Sequence, residues 1–566
     1  MKTARQDTSA VRQLDAEQLR IARGAFREGG NPYHVATVLG LADEDELLEA
    51  VSVALQMDRI DLTETEIDTT LLASFPTRLI HRRRMFPINR SRDGLVVAVA
   101  DPFDLDALDT ASNVSGERIH PTLAHPRSVA ALIKRYLGVG AETIDGMLAD
   151  SEEDGTRSTD QGEFDESEVA EMAQQASVVR LVNEILNEAV EACASDIHLE
   201  STELGMQIRY RIDGVLQHQP VPPEIRRFRA AIISRLKIMA QLNIAERRLP
   251  QDGRLKIAIS GREVDVRVSI IPMLHGEGVV MRVLDKESMS FSLQGLGMDR
   301  QTYEQFQQLI KLPHGIILVT GPTGSGKTTT LYSALNDIKS EQTKIVTTED
   351  PIEYQLDGIQ QIQVHPKVGL TFASSLRSIL RHDPDVVLVG EIRDQETAEN
   401  AIQASLTGHL VFSTLHTNDS ASAFMRLIDM GVEPFLVSST IEGVLAQRLV
   451  RLLCRECRSG YRATIEDLPS DFPMAELAKQ DGKLYRTSGC PACRGTGYRG
   501  RAGLYELLTV SAEVRKLAST GVPATELRAA AIRAGLRSLR DDGWGRVLQG
   551  ITTVEEVLRV THADEE

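Results

Sequence analysis

Residues 315–328 decide the fold, and they read Gly315-Ile316-Ile317-Leu318-Val319-Thr320-Gly321-Pro322-Thr323-Gly324-Ser325-Gly326-Lys327-Thr328. The first six form a short apolar run typical of a buried strand, and the last eight fit the pattern G-x-x-x-x-G-K-[ST] in full. In this pattern the glycines let backbone N–H groups turn inward around phosphates, and the next helix adds the positive end of its dipole. The sequence therefore predicts a strand, a phosphate-binding loop and a helix in succession.

The same loop predicts the nucleotide contacts. We expect Lys327 to reach the β- and γ-phosphates of a nucleoside triphosphate and the Thr328 hydroxyl to coordinate Mg²⁺. The predicted nucleotide-binding residues are Gly321, Pro322, Thr323, Gly324, Ser325, Gly326, Lys327, Thr328 and Thr329. A fortuitous glycine-rich turn is the alternative, and the strand before it and the helix after it disfavour that alternative.

Acidic residues follow two of the next predicted strands. Residues 385–389 are apolar and lead to Glu391, which we expect to act on Mg²⁺ directly or through water. A second strand runs into Glu349, Asp350 and Glu353. A helix cap or a turn would not require three carboxylates, so we expect at least one of them to polarise the attacking water. For each single carboxylate, the alternative role is in a turn or a helix cap.

The alternation of strands and helices from about residue 293 predicts a parallel sheet in this part of the chain. A further strand at 409–414 leads to His416. A histidine just beyond a strand end can contact a γ-phosphate, whereas most lone histidines on such strands are structural.

Four cysteines form two knuckles, Cys454-x-x-Cys457 and Cys490-x-x-Cys493. Four thiolates at this spacing favour a structural Zn²⁺ site without an open coordination position. A disulfide is the main alternative, which a reducing cytosol disfavours, and an iron–sulfur cluster is a weaker one. Cys193 lies in a predicted helix among apolar neighbours and is interpreted as a core residue.

Charge is distributed unevenly along the chain, which carries 63 Lys and Arg against 81 Asp and Glu. Residues 142–171 hold twelve acids and one base, so they account for −11 of the formal net charge of −18. This polar stretch predicts a flexible acidic linker over 141–168. The acidic balance argues against a nucleic-acid partner, and without an apolar run of about 20 residues we expect no membrane span and a cytoplasmic location.

The remaining motifs resemble one family closely. They are Thr347-Thr348-Glu349-Asp350-Pro351-Ile352-Glu353, Leu380-Arg381-His382-Asp383-Pro384-Asp385 through Gly390-Glu391-Ile392-Arg393-Asp394, and Thr407-Gly408-His409 through Thr414-Leu415-His416-Thr417. In this order they are similar to the secretion-superfamily ATPases, the hexameric motors of type II secretion, type IV pilus assembly and pilus retraction. The resemblance covers roughly residues 170–560.

The resemblance implies a multidomain α/β fold. It places a small α+β partner-docking domain at 1–140, a PAS-like α+β domain at 169–288 and a RecA-like P-loop ATPase domain at 289–566. The last of these would contain a zinc-binding insert at 451–500 and a C-terminal helical segment at 501–566.

The resemblance also implies roles for individual residues. Glu353 matches the catalytic glutamate, Glu391 lies in the second Walker motif, and His409 and His416 lie in the histidine box. Four arginines match residues that approach the nucleotide or precede the second Walker motif: Arg267, Arg282, Arg377 and Arg381. A surface ion pair is the alternative role for any one of these arginines.

These expectations combine into a Mg²⁺-dependent, homohexameric ATPase recruited to an inner-membrane platform through its N-terminal domain. The tetracysteine insert resembles that of assembly motors and weighs against pilus retraction. We favour type II secretion over type IV pilus assembly, since no Arg-Leu-Gly cyclic-dinucleotide motif is found near 30–56, and we predict no such site. A DNA translocase and a nucleotide-gated scaffold without turnover are the alternatives from other functional classes.

Overall fold

The computed structural model describes residues 14–26, 32–62, 65, 67–73, 75–76, 79–80, 83–92, 94–141, 143–144, 147, 174–259, 261–285 and 291–561. The chain divides into two compact units, Met1–Leu284 and Asp285–Glu566. Residues 148–173, which make up most of the predicted acidic linker, lie outside the described residues.

The first unit begins with a small α+β region. Its helices are α1 (Ala16–Phe26), α2 (Pro32–Val38), α3 (Glu44–Leu55), α4 (Leu105–Ser115) and α5 (Pro126–Leu137), and its strands are β1 (Met85–Ser91), β2 (Gly94–Val99) and β3 (Ile119–Leu123). Strand β2 is central, antiparallel to β1 and parallel to β3. Helix α3 starts where the Asp43 carboxylate accepts the Glu46 N–H at 2.9 Å, and it ends at Gln56 in the left-handed conformation.

The second part of this unit is a six-stranded sheet with two helices. Its elements are α6 (Ala176–Glu191), β4 (Ala194–Thr202), β5 (Gly205–Ile212), β6 (Val215–Gln219), α7 (Arg229–Met239), β7 (Gln251–Ile259), β8 (Arg262–Met273) and β9 (Gly276–Asp285). The strand order is β6-β5-β4-β9-β8-β7. The predicted Asp213-Gly214 hairpin is confirmed: both residues have positive φ, as a two-residue type I′ turn requires.

The predicted start of the linker at residue 141 is wrong. Val139, Ile144 and Met147 are buried in the core of the six-stranded domain, and the Val139 N–H donates to the Pro220 carbonyl at 3.1 Å. Apolar residues within an acidic stretch can pack where a partner surface is available, so the core of this domain includes residues that net charge assigned to the linker.

A buried ion pair lies within this domain. The Lys237 ammonium is 2.7 Å from the Glu277 carboxylate, and these side chains are 1% and 10% exposed. Lys237 also donates to the Glu246 carbonyl at 2.7 Å. The pair fixes the loop between α7 and β7 to the start of β9.

Glu277→Ala leaves this buried ammonium without its counter-charge and should destabilise the first unit by about 3–5 kcal/mol. The measurement is urea unfolding of the full chain, followed by circular dichroism. Glu263→Ala is the matched control, because its partner Lys256 is exposed and the pair contributes little. Equal midpoints for the two variants would contradict the prediction.

The second unit is built on a seven-stranded sheet with the order β12-β11-β13-β14-β10-β15-β18. Its strands are β10 (Gly315–Thr320), β11 (Ile345–Glu349), β12 (Gln360–Gln363), β13 (Val386–Val389), β14 (Leu410–Leu415), β15 (Ile441–Leu453) and β18 (Tyr498–Thr509). The first six of these in the sheet order are parallel, and β18 joins the edge antiparallel to β15. The predicted parallel sheet is confirmed, and β10 is buried along its whole length.

Helices cover both faces of this sheet. They are α8 (Arg300–Leu309), α9 (Lys327–Ile338), α10 (Phe372–Ile379), α11 (Gln395–Leu406), α12 (Ser422–Asp429), α13 (Pro434–Thr440), α15 (Ala512–Ser519) and α16 (Ala524–Arg533). Helices α8 and α9 pack on one face, and the others bury their apolar sides on the opposite face.

The cysteine-bearing insert lies between β15 and β18. It contains the antiparallel pair β16 (Arg458–Arg462) and β17 (Lys483–Thr487), together with the short helix α14 (Met474–Ala478). The insert packs on two C-terminal helices, α17 (Leu539–Leu548) and α18 (Val554–Val560). The predicted helical segment 501–566 is corrected at its start, because 501–509 pair with β15 as a strand and helices begin only at Ala512.

Candidate functional site

The phosphate-binding loop leaves the carboxyl end of β10 and enters α9 at Lys327. Gly321, Gly324 and Gly326 all have positive φ, which brings successive N–H groups to one side of the loop. A Cβ atom on Gly321 would lie 2.5 Å from the Gln447 carbonyl oxygen, so this position accepts glycine alone. The start of the loop is thus held closely between β10 and β15.

The Lys327 ammonium lies across this loop, where it donates to the carbonyls of Gly321 at 2.8 Å and Pro322 at 3.1 Å. Burial lowers the Lys327 pKa to about 8; Glu391 opposes this shift and Arg448 adds to it. Phosphate oxygens would therefore meet a desolvated cation that donates to two neutral carbonyls.

Two predicted site residues, Glu391 and His416, lie next to each other, and the charge of Glu391 acts on Lys327. Glu391 follows β13, and His416 follows β14, so both lie at the carboxyl edge of the sheet. The His416 Nε2 atom is 3.5 Å from the Glu391 carboxylate, whose other oxygen lies 2.5 Å from Arg393. The hydrogen bond to Glu391 raises the Arg393 pKa.

The three carboxylates at the end of β11 and just after it have different surroundings. Glu349 is buried and accepts hydrogen bonds from the hydroxyls of Tyr332 and Thr347 and from the Gln361 amide. These contacts give Glu349 a structural role in joining α9, β11 and β12. Of the predicted water-polarising acids, Asp350 and Glu353 remain candidates.

The predicted residues of the second unit do not all gather at this edge. His409 precedes β14, and its ring lies 2.9 Å from the Ala404 carbonyl oxygen at the amino edge of the sheet. The six residue steps from His409 to Leu415 place it roughly 20 Å from the edge that holds His416. Arg377 pairs with Glu396, and Arg381 donates to the Arg377 carbonyl at 2.8 Å.

Sequence reasoning missed Gln447 and Arg448, which lie on β15 behind the loop. The Gln447 side-chain oxygen accepts a hydrogen bond from the Thr330 hydroxyl at 2.7 Å. The Arg448 guanidinium donates a hydrogen bond to the Asn418 carbonyl at 3.0 Å. Both residues are buried, and burial lowers the Arg448 pKa. The sequence feature that could have identified them is the occurrence of two adjacent polar residues within the largely apolar run 441–453. Arg393 was also missed, although it stands two residues after Glu391.

Arg267 and Arg282 lie in the first unit, on β8 and β9. They line a cavity of about 450 Å³ together with Asp196 and Arg254. The Arg282 Nε atom is 3.2 Å from the Asp196 carboxylate. The lining carries three arginines against two acids, Asp196 and Asp252, so the cavity has a net positive charge.

The four cysteines of the knuckles converge at the far end of β15. Their sulfur atoms lie within 4.8 Å of one another, with separations of 3.7 Å (Cys454–Cys490), 3.8 Å (Cys457–Cys493) and 3.7 Å (Cys490–Cys493). Sulfurs about 2.3 Å from a tetrahedral Zn²⁺ are about 3.8 Å apart, so the arrangement fits this ion. All four are free thiols at distances that exclude a disulfide.

Backbone donors support thiolate chemistry at the same place. The Cys493 sulfur accepts the N–H groups of Cys490 at 3.1 Å and Gly497 at 3.2 Å. Burial would raise the Cys493 pKa, but hydrogen bonds outweigh it and lower the pKa to about 7, whereas burial raises the pKa of Cys457 and Cys490. Cys193, in contrast, is exposed rather than a core residue.

The family assignment follows from comparison with known proteins. The family model described as Type II/IV secretion system protein matches residues 171–559, which is more than half of the chain. The chain belongs to this family. A second model, described as MshEN domain, matches residues 55–143.

Relatives within the family carry two kinds of name. The type IV pilus assembly ATPase PilB of Myxococcus xanthus is 41% identical over 97% of this chain and 97% of its own. The type II secretion system protein E of Xanthomonas campestris is 43% identical over 92% of each chain. The type II secretion system ATPase E of Vibrio cholerae is 52% identical over 70% of this chain and 77% of its own.

A solved structure agrees on the fold. The Legionella pneumophila ATPase DotB superposes with a TM-score of 0.50 at 23% identity, covering 67% of this chain and 94% of DotB. This similarity confirms the RecA-like secretion ATPase architecture of the family. Among the described residues, no helix is both long and apolar enough to cross a bilayer.

Cys490→Ser should remove one of four ligands and release bound zinc, which would lower the melting temperature of the second unit. Metal analysis of the purified full chain should find one zinc per wild-type chain and far less in the variant. Cys193→Ser is the control and should retain the metal. Wild-type protein without zinc would contradict the assignment.

Proposed function

We propose that this protein is a Mg²⁺-dependent ATPase that powers type II secretion by driving pseudopilus assembly. The observation that carries the proposal is that the phosphate-binding loop with Lys327 and the Glu391–His416 pair lie at the carboxyl edge of one parallel sheet, in a chain of the type II/IV secretion system family. Ligands bind at this edge in open α/β sheets. Family relatives named type II secretion ATPases support the cellular role.

Each side chain takes a role from its position. The loop residues Gly321 to Thr329 would hold the triphosphate, with Lys327 on the β- and γ-phosphates. Thr328 and Glu391 would hold Mg²⁺, which neutralises charge on the phosphate oxygens. Glu353 is our candidate for the base that orients and deprotonates the attacking water. His416, next to Glu391, would sense the γ-phosphate.

The remaining predicted residues divide between assembly-dependent turnover and structural roles. Arg267 and Arg282 line a basic cavity, and we propose that they bring positive charge to a nucleotide within a homohexamer. Arg377 and Arg381 lie on and just after α10, where Arg377 already has an acidic partner. His409 is placed too far along β14 to contact a nucleotide at the loop, so we assign it a structural role at the opposite edge.

The other domains complete the proposal. The strand order β6-β5-β4-β9-β8-β7, in which the first strand β4 lies next to the last strand β9, supports a PAS-like middle domain. The part of the chain that matches the MshEN domain would dock on an inner-membrane platform protein, which would recruit a cytoplasmic enzyme to the membrane. Zn²⁺ would be structural, because the four thiolates fill its coordination.

Glu353→Gln should lower the rate of ATP hydrolysis by about a hundredfold or more. Nucleotide affinity should stay unchanged, because the substitution removes a base and not a phosphate contact. The measurements are steady-state phosphate release and titration with a fluorescent ADP analogue. Glu341→Gln, at an exposed surface position, is the control. A variant that hydrolyses ATP at the wild-type rate would exclude Glu353 as the base, and stimulation of the wild type by DNA would favour a translocase.

Type IV pilus assembly is the second candidate, and the PilB relative that aligns over 97% of the chain favours it. Deletion of the gene in its own organism separates the two. We expect loss of secreted enzymes from the medium with surface pili retained, and rescue by the wild-type gene but not by Lys327→Ala. Loss of pili with normal secretion would establish the alternative.

A further inference from the structure

A buried carboxylate lies at the back of the site, on the edge strand β18. The Glu506 side chain is 1% exposed. One of its oxygens accepts the Ser420 N–H at 2.8 Å and the Ser420 hydroxyl at 2.5 Å. Ser420 is four residues after His416, so this oxygen is bonded to the loop that carries the histidine.

The second oxygen of Glu506 faces the C-terminal helices. It accepts the N–H of Leu539, the first residue of α17, at 3.3 Å, and it lies 3.6 Å from the Arg528 guanidinium on α16. Burial raises the Glu506 pKa, and the donors around the carboxylate oppose that shift. One side chain thus joins the histidine loop to two helices distant in sequence.

The histidine loop, residues 416–420, is also bonded to the nucleotide side. The Thr417 hydroxyl is 2.7 Å from that of Thr320, the residue just before the phosphate-binding loop. Arg448 donates to the Asn418 carbonyl. The loop is therefore fixed on one side by β10 and β15 and on the other by Glu506.

The next residue of α17 contacts the cysteine-bearing insert. Arg540 forms a two-pronged ion pair with Asp471 of the insert, with one N–O distance of 3.0 Å. The Trp544 indole donates to the same carboxylate at 3.1 Å. Leu539 and Arg540 are adjacent, so the start of α17 is bonded to Glu506 on one side and to the insert on the other.

We propose that Glu506 is a positioning residue for ATP hydrolysis. It holds the histidine loop against the phosphate-binding loop. Because Glu506 also binds the start of α17, the position of the histidine loop depends on the cysteine-bearing insert. The inference rests on the proposed ATPase function. A carboxylate suits this place because its two oxygens accept hydrogen bonds from the histidine loop and from the C-terminal helices at the same time. A side chain with a single acceptor oxygen would bind only one of the two.

Glu506→Gln tests the proposal directly. The amide keeps one acceptor and replaces the other with a donor, so either the Ser420 contact or the α17 contact is broken in a side chain of the same size. We expect kcat for ATP to fall roughly tenfold or more with ADP affinity unchanged, because displacing a reacting group by about 1 Å can cost up to 10²-fold in rate.

Glu556→Gln is the matched control. Glu556 is a carboxylate of α18 that is 2% exposed and binds Arg451 on β15, but it has no contact with the histidine loop. It should lower thermal stability while retaining kcat. Should Glu506→Gln fail to fold, Ser420→Ala removes a single hydroxyl donor from the same link and should lower kcat in the same direction.

A double-mutant cycle tests the dependence on the insert. Asp471→Asn weakens the Arg540 pair and should lower kcat about threefold with zinc retained, and it should have no further effect in the Glu506→Gln background. If the two substitutions together lowered kcat by the product of their separate effects, the coupling to the insert would be overturned. An unchanged kcat in Glu506→Gln would overturn the positioning role. Wild-type hydrolysis in the same assay tests the ATPase function separately.

Discussion

The parallel pairing of β10 with β14 on one side and β15 on the other is the constraint on which the site depends. It brings the ends of three strands to one edge, and it leaves so little room behind Gly321 that a Cβ atom would meet the backbone of β15. The phosphate-binding loop is therefore shaped by its neighbours as much as by its own glycines. Buried partners hold that shape, so little reorganisation is needed when phosphates arrive.

The same constraint explains why polar residues occur deep in this sheet. Glu349, Gln447, Arg448 and Glu506 are all buried, and each is bonded to a loop or helix near the carboxyl edge. A buried polar group without partners is costly, so these networks require their loops to be in place. Stability of the fold and geometry of the site are thus secured by the same hydrogen bonds.

The local parts of the structure were accessible from sequence, and the long-range parts were not. The phosphate-binding loop, the Asp213-Gly214 hairpin and the converging cysteines follow from short patterns with a direct physical cause. The structural role of Glu349, as against its acidic neighbours Asp350 and Glu353, depends on Tyr332 and Gln361, which lie elsewhere in the chain. The positions of His409 and His416 at opposite edges follow from the direction of one strand.

The place of the cysteine-bearing insert has an architectural consequence. Leu453 and Tyr498 are paired neighbours on β15 and β18, so the insert leaves and re-enters the sheet at a single point. A short turn between these two residues would close the same hairpin and preserve the sheet. Trp544 and Val547, however, are buried against the insert. A homologue without the insert would need new polar side chains on that face of α17. Gain or loss of the cysteine-bearing insert must therefore be accompanied by changes on the surface of the C-terminal helices.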